Sequence, residues 1–157
     1  MSGRTWTWNT SGPEDTFERA RALGARLQGT EVLLLTGDLG AGKTLFTQGL
    51  ALGGGLDDRQ VVSPTFTLMN RLKGPRWTLY HFDLYRLGPQ REGLLELEEI
   101  WGQGVAVVEW AEYLPEGIYL QEPGVIRVSF TGEDEARRIA LETDDPLLYP
   151  TLSLSES

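Results

Sequence analysis

Eight consecutive residues carry the strongest chemical signal in this chain: Gly37, Asp38, Leu39, Gly40, Ala41, Gly42, Lys43 and Thr44. They match G-x-x-x-x-G-K-[ST] at every fixed position. Glycines at that spacing let the backbone curl so that successive N–H groups converge on phosphate oxygens. The helix expected to follow adds the partial positive charge of its N-terminus. In such a loop the lysine reaches the β- and γ-phosphates and the hydroxyl binds Mg2+. At this chain's own residue frequencies, chance would produce the pattern in about 0.4% of sequences of this length. The bland reading is a tight glycine turn beside a surface lysine. Guanine-reading loops of this kind usually add an Asn-Lys-x-Asp motif, but asparagine occurs only at Asn9 and Asn70 and neither precedes a lysine. ATP is the expected nucleotide.

A phosphate loop needs a carboxylate at the end of a neighbouring strand to hold Mg2+ and orient the attacking group. Glu109 directly follows the apolar run Val105, Ala106, Val107, Val108 and stands where such a residue belongs. Asp83 is the second candidate; in a strand it shares a face with His81 and Tyr85. A lone strand histidine is more often a packing residue than a catalyst, so His81 has no role assigned. Trp110 either belongs to the core or covers the nucleotide. The hydroxyl-rich stretch Ser63, Pro64, Thr65 reads equally well as a turn or as a phosphate-sensing segment.

The elements that must position these groups follow from periodicity. Residues 5–9 alternate, with Trp6 and Trp8 on one face of a strand. Ser11 and Glu14 have capping-box spacing ahead of a helix carrying Phe17, Ala20, Leu23 and Leu27, with Gly29 as its stop. Residues 31–36 form a strand buried on both faces, and a packed helix spans 43–52, with Leu45, Phe46 and Leu50 inward. A hairpin is expected over 65–85 around the turn at Lys73 to Arg76. A helix started by Pro89 runs to about Ile100, with Leu94, Leu95, Leu97 and Ile100 inward. The short strand 105–108 and a final hairpin of 125–130 with 138–142 complete the pattern. Buried strands interleaved with helices predict an α/β fold: a mostly parallel sheet of the P-loop NTPase type, flanked by helices, with an antiparallel portion.

Length and composition set the outer limits. A chain of 157 residues is expected to be one domain, here 1–143, with the acidic, serine-bearing stretch 144–157 as a loosely ordered tail. Without cysteine there is no disulfide framework, cysteine nucleophile or thiolate metal site, and one histidine excludes multi-histidine centres. No apolar run approaches the ~18 residues needed to cross a bilayer, and the first ten residues lack a signal-peptide pattern, so a cytoplasmic protein is expected. The charge is −9, with only two lysines, Lys43 and Lys73, among the basic residues. That balance disfavours direct binding to DNA or RNA and fits docking onto a basic partner.

Taken together, the 37–44 loop, residues 63–68 (Ser-Pro-Thr-Phe-Thr-Leu), residues 81–86 (His-Phe-Asp-Leu-Tyr-Arg) and Val108-Glu109-Trp110 resemble, in order and spacing, the TsaE (YjeE) family. The resemblance runs from about residue 16 to residue 142. It implies a Mg2+-dependent ATPase of tRNA threonylcarbamoyladenosine biosynthesis that works mainly within a complex with TsaD and TsaB, and that meets tRNA only through that complex. By the same resemblance Lys43 holds phosphate, while Thr44 and Glu109 ligate Mg2+. Asp83 positions metal or water, Thr65 lies in a switch-like segment, and Trp110 lies near the nucleotide. Ala111 and Phe66 depart from the family's usual proline and tyrosine without removing a ligand, and Ala20 stands where threonine is frequent. Two other readings stay open from residues alone. One is a small-molecule kinase using Asp83, Arg86 and Arg91; the other is a nucleotide-gated adaptor that does not hydrolyse ATP.

Overall fold

The run Val32, Leu33, Leu34, Leu35 has no polar face to offer water, and it becomes the central strand of the sheet. A computed structural model describes residues 3–37, 40–62, 69–85, 91–115, 117–119, 121–132 and 136–153, of which 40, 41 and 91–93 are described by their backbone alone. The central strand β2 (Val32–Thr36) lies parallel to β5 (Val105–Glu109) on one side and to β6 (Val125–Thr131) on the other. Beyond β5, the parallel β4 (Leu79–Asp83) carries an antiparallel edge strand, β3 (Met69–Leu72). Beyond β6 come the antiparallel β7 (Arg137–Thr143) and then β1 (Arg4–Thr10), giving the order β1-β7-β6-β2-β5-β4-β3. This is the α/β architecture expected from the sequence.

Helices α1 (Pro13–Gly24) and α2 (Gly40–Gly53) cover one face. Their backbones meet through glycines: a Cβ on Gly24 would strike the Leu50 carbonyl, and one on Gly53 the Arg21 carbonyl. That face holds the larger core cluster, including Trp6, Trp8, Leu33, Leu35, Phe46, Leu50, Val107 and Phe130. The alternation in β1 puts both tryptophans inward, where Trp8 meets the Phe46 ring at 6.0 Å. The opposite face packs Val32, Leu34, Tyr80, Phe82, Ala106 and Val108 beside Leu97 of α3 (Arg91–Ile100). No described helix is long and apolar enough to cross a membrane.

Some local expectations are corrected. Helix α1 stops at Gly24 rather than running on toward Gly29, and Gly12, not Ser11, stands at its N-cap without a side-chain bond. Ser11 instead donates its N–H to Asp15 Oδ2 at 3.0 Å, one residue further along than the Glu14 spacing implied. In α3, Leu97 is buried but Leu95 is 58% exposed. The expected loose tail from residue 144 is in fact folded through 153. Asp145 accepts from the amides of Leu147 (3.0 Å) and Gly124 (2.8 Å), and a short helix α4 (Tyr149–Ser153) follows. Leu148, at the end of the turn before α4, and Leu152 within α4 join the main core, and Tyr149 packs 5.5 Å from Trp6. Acidic and serine-rich composition hid that pair.

Glu31 shows how the entry to β2 is fixed. Its carboxylate is buried and accepts from the amides of Gln28 (2.8 Å), Gly29 (2.9 Å) and Thr30 (3.1 Å). Removing it strands three amides, so Glu31→Ala should lower folding stability by about 2–4 kcal/mol, while Glu31→Gln, which keeps one acceptor, should lose less. Urea denaturation of the two variants beside the parent chain checks this; equal midpoints for all three would show that the amides find other partners.

Candidate functional site

The carboxyl ends of β2, β4 and β5 lie side by side, with Leu35 opposite Glu109 and Glu109 opposite Asp83 across the parallel ladders. Ligands of open α/β sheets bind at this end, outside the strand tips. The chain leaves β2 through Gly37 at φ +126°, a conformation that favours glycine; a Cβ there would also press on the Phe130 carbonyl at 2.5 Å. It then enters α2 at Gly40, so Gly42, Lys43 and Thr44 lie in the first turns. Strand and helix therefore flank the glycine-rich stretch in the expected order, the helix beginning at Gly40 rather than at Lys43. Asp38 and Leu39 lie outside the described residues, and Gly40 and Ala41 are placed by backbone only.

Lys43 is fully buried, with Nζ 3.3 Å from the centroid of the Trp110 indole. A desolvated ammonium over an indole face is a favourable cation–π pair worth about 2 kcal/mol. Trp110 reaches that position from an unusual backbone, φ 61° and ψ 43°, immediately after β5. Bulky residues rarely adopt the left-handed region, and such strain clusters at functional sites. Its ring is held by Tyr85 at 4.8 Å and Tyr113 at 6.3 Å.

Glu109 is 1% exposed although it ends a strand. The Thr44 hydroxyl donates to it, 3.2 Å from Oε1 and 3.4 Å from Oε2, and His81 Nε2 lies 2.5 Å from Oε2. A hydroxyl and a carboxylate in contact form a hard oxygen pair of the kind Mg2+ prefers, its remaining positions going to phosphate and water. Among the described residues no group of three His, Asp or Glu side chains is placed to hold a metal alone. Such a site needs none, and the residues fit the ion.

Asp83 stands on β4 two residues beyond His81, partly exposed, and its Oδ1 accepts from the Tyr85 amide at 3.0 Å. Tyr85 itself falls just past the strand and turns its ring to Trp110, so the expected shared face extends to His81 and Asp83 only. Thr65 lies outside the described residues, as do Arg86 and the side chain of Arg91.

Two participants escaped the sequence reading. His81 is a direct partner of Glu109. Glu112, on the short 3-10 turn Ala111–Tyr113, accepts from the Gly37 amide at 3.1 Å and so ties that turn to the start of the loop. A carboxylate three residues beyond Glu109 was its one local signal. A cavity of about 370 Å3 adjoins the loop, lined by Pro13, Thr16, Gly42, Thr44, Leu45, Gln48 and Arg137.

A glycine loop between a buried parallel strand and a helix, with a carboxylate from the adjacent strand on its hydroxyl, defines an α/β domain of the phosphate-loop class. The family model for "Threonylcarbamoyl adenosine biosynthesis protein TsaE" matches residues 10–140, and the chain belongs to the TsaE family. It is 43% identical over 128 residues to the tRNA threonylcarbamoyladenosine biosynthesis protein TsaE of Bacillus subtilis (strain 168), covering 82% of this chain and 80% of that protein. Its identity to the protein of that name from Nostoc sp. is 42% over 132 residues, covering 81% and 78%. The crystal structure of Bacillus subtilis YdiB superposes with a TM-score of 0.72 at 31% identity, covering 99% of this chain and 96% of that one.

Proposed function

We propose that the chain binds ATP with Mg2+ in its glycine loop and hydrolyses it in support of TsaD and TsaB. Those partners would transfer the threonylcarbamoyl group to adenosine 37 of tRNAs reading codons that begin with A. The observation that carries the nucleotide reading is the contact of Thr44 with buried Glu109 at the mouth of the loop. A hydroxyl and a carboxylate have no structural need to meet there, whereas a triphosphate's metal would bridge them.

In this reading the backbone amides at the start of α2 and Lys43 Nζ hold the phosphates, and the ammonium leaves the Trp110 face to do so. Thr44 and Glu109 would hold Mg2+, which supplies neutralisation of phosphate charge when bound. Asp83, at the adjoining strand tip, orients the attacking water or a metal-bound one. The 370 Å3 cavity beside Gly42, Thr44 and Leu45 has room for the ribose and adenine. Trp110 lies over the phosphate end, and Thr65 belongs to the segment that senses the terminal phosphate. A net charge of −9 argues against a direct grip on tRNA or DNA and leaves tRNA contact to the complex.

ATP turnover measured on the chain alone, then with TsaD and TsaB added, tests the proposal. The rate should be low alone and rise with the partners present. A rate that ignores them and responds instead to a small hydroxylated acceptor would mark a kinase; binding without turnover under any condition would mark an adaptor.

A further inference from the structure

His81 is a histidine whose surroundings make little sense if its task is packing. It sits on β4 with 1% of its surface exposed, paired with Asn70 of β3 on one side and Val107 of β5 on the other. One ring nitrogen, Nδ1, is buried with no hydrogen-bond partner among the described residues. A buried polar atom left unsatisfied costs about 1–3 kcal/mol. The other nitrogen, Nε2, makes the 2.5 Å contact with Glu109 Oε2. What the ring contributes therefore lies on the Glu109 side.

Glu109 carries two oxygens, and the geometry separates them. Oε2 is taken by His81, and Oε1 is the oxygen nearer to Thr44 Oγ1, 3.2 Å against 3.4 Å. The carboxylate accepts, so Nε2 carries the hydrogen and fixes the rotation of the carboxylate about its last bond. Without that anchor the side chain of Glu109 could turn away or pivot its oxygens, and the pair it forms with Thr44 would have to be ordered anew for each cation. Buried ligands held this way by an outer hydrogen-bond partner typically lose 10- to 100-fold in metal affinity when the partner is removed.

We infer that His81 is a positioning residue for the cation site: it locks Glu109 with one oxygen directed at Thr44, and so sets the Mg2+ affinity of the nucleotide complex. This rests on the ATP and Mg2+ reading above. His81 touches neither nucleotide nor reacting atoms, so its removal should act through the metal and leave metal-free nucleotide binding intact.

The test is the Mg2+ concentration that half-saturates binding of a non-hydrolysable ATP analogue, measured by calorimetry on the full chain. It compares the parent with His81→Leu, His81→Asn and His81→Gln, each confirmed folded by thermal unfolding. Gln extends an amide donor to about the reach of Nε2, whereas Asn keeps the polarity but falls short. Leu and Asn should raise the half-saturating Mg2+ about 10- to 100-fold, and Gln should restore it to within about threefold of the parent. Analogue affinity in EDTA should be the same in all four. Parent-like Mg2+ requirements in Leu and Asn, or a Gln variant as impaired as Asn, would overturn the inference while leaving the ATP reading standing. Equal loss of metal-free binding in all three variants would also overturn it, marking a merely structural residue. A parent chain that binds no analogue, or binds it regardless of Mg2+, would remove the underlying reading and this inference together.

Discussion

Lys43→Met should abolish useful ATP binding while leaving the fold intact. Methionine keeps the length and volume of the buried stem beneath Trp110, so no cavity opens, and the lost cation–π contact is offset by the lifted cost of burying a charge. What is lost is a charge-assisted contact to phosphate in a partly desolvated site, about 3–4 kcal/mol, or two to three decades in affinity. Calorimetric titration with MgATP reads the affinity and thermal unfolding reads the fold. Lys43→Ala should lose the same affinity and some stability as well, because the space under the indole empties. A Met variant that binds as the parent does would show that the lysine only packs against Trp110.

Glu109→Gln should cut ATP turnover in the assembled complex about 10²- to 10³-fold, the usual loss when one preorganised electrostatic group is removed from a reacting phosphate's surroundings. Glutamine preserves shape and still offers an oxygen to Thr44 or to His81, so stability should fall little. Glu109→Ala should lose activity equally but cost about 2–4 kcal/mol of stability in addition, since His81 Nε2 and the Thr44 hydroxyl both lose the acceptor they share. Steady-state phosphate release, with denaturant midpoints alongside, separates the two effects. Undiminished turnover in the Gln variant would remove Glu109 from the chemistry.

The parts of this molecule that could be read from its residues are those in which a local pattern has one physical solution. An all-apolar four-residue run bounded by turn signals has to be a doubly covered strand, and β2 is the middle of the sheet. Trp6 and Trp8, spaced by two, have to share a face, and both are buried. Glu109 at the end of a second such run has to fall near the glycine loop, and it touches Thr44. The remainder depends on pairings distant in sequence. Nothing local says that β6 lies beside β2, or that Tyr149 closes over Trp6, because each is decided by which surface the other elements leave uncovered. His81 belongs to the same class: its partner is 28 residues away on the next strand, so its own neighbours gave only a packing residue. The αL backbone of Trp110 has no signature either, for tryptophan is an unfavoured residue in that conformation.

The most direct measurement is a crystal structure of the chain with Mg2+ and a non-hydrolysable ATP analogue. Phosphate oxygens should lie within hydrogen-bonding distance of the Lys43 and Thr44 amides, with Lys43 Nζ withdrawn from the Trp110 face onto phosphate and the metal bound to the Thr44 hydroxyl on the Glu109 side. A nucleotide seated elsewhere on the surface, with Lys43 still beneath the indole, would contradict this placement.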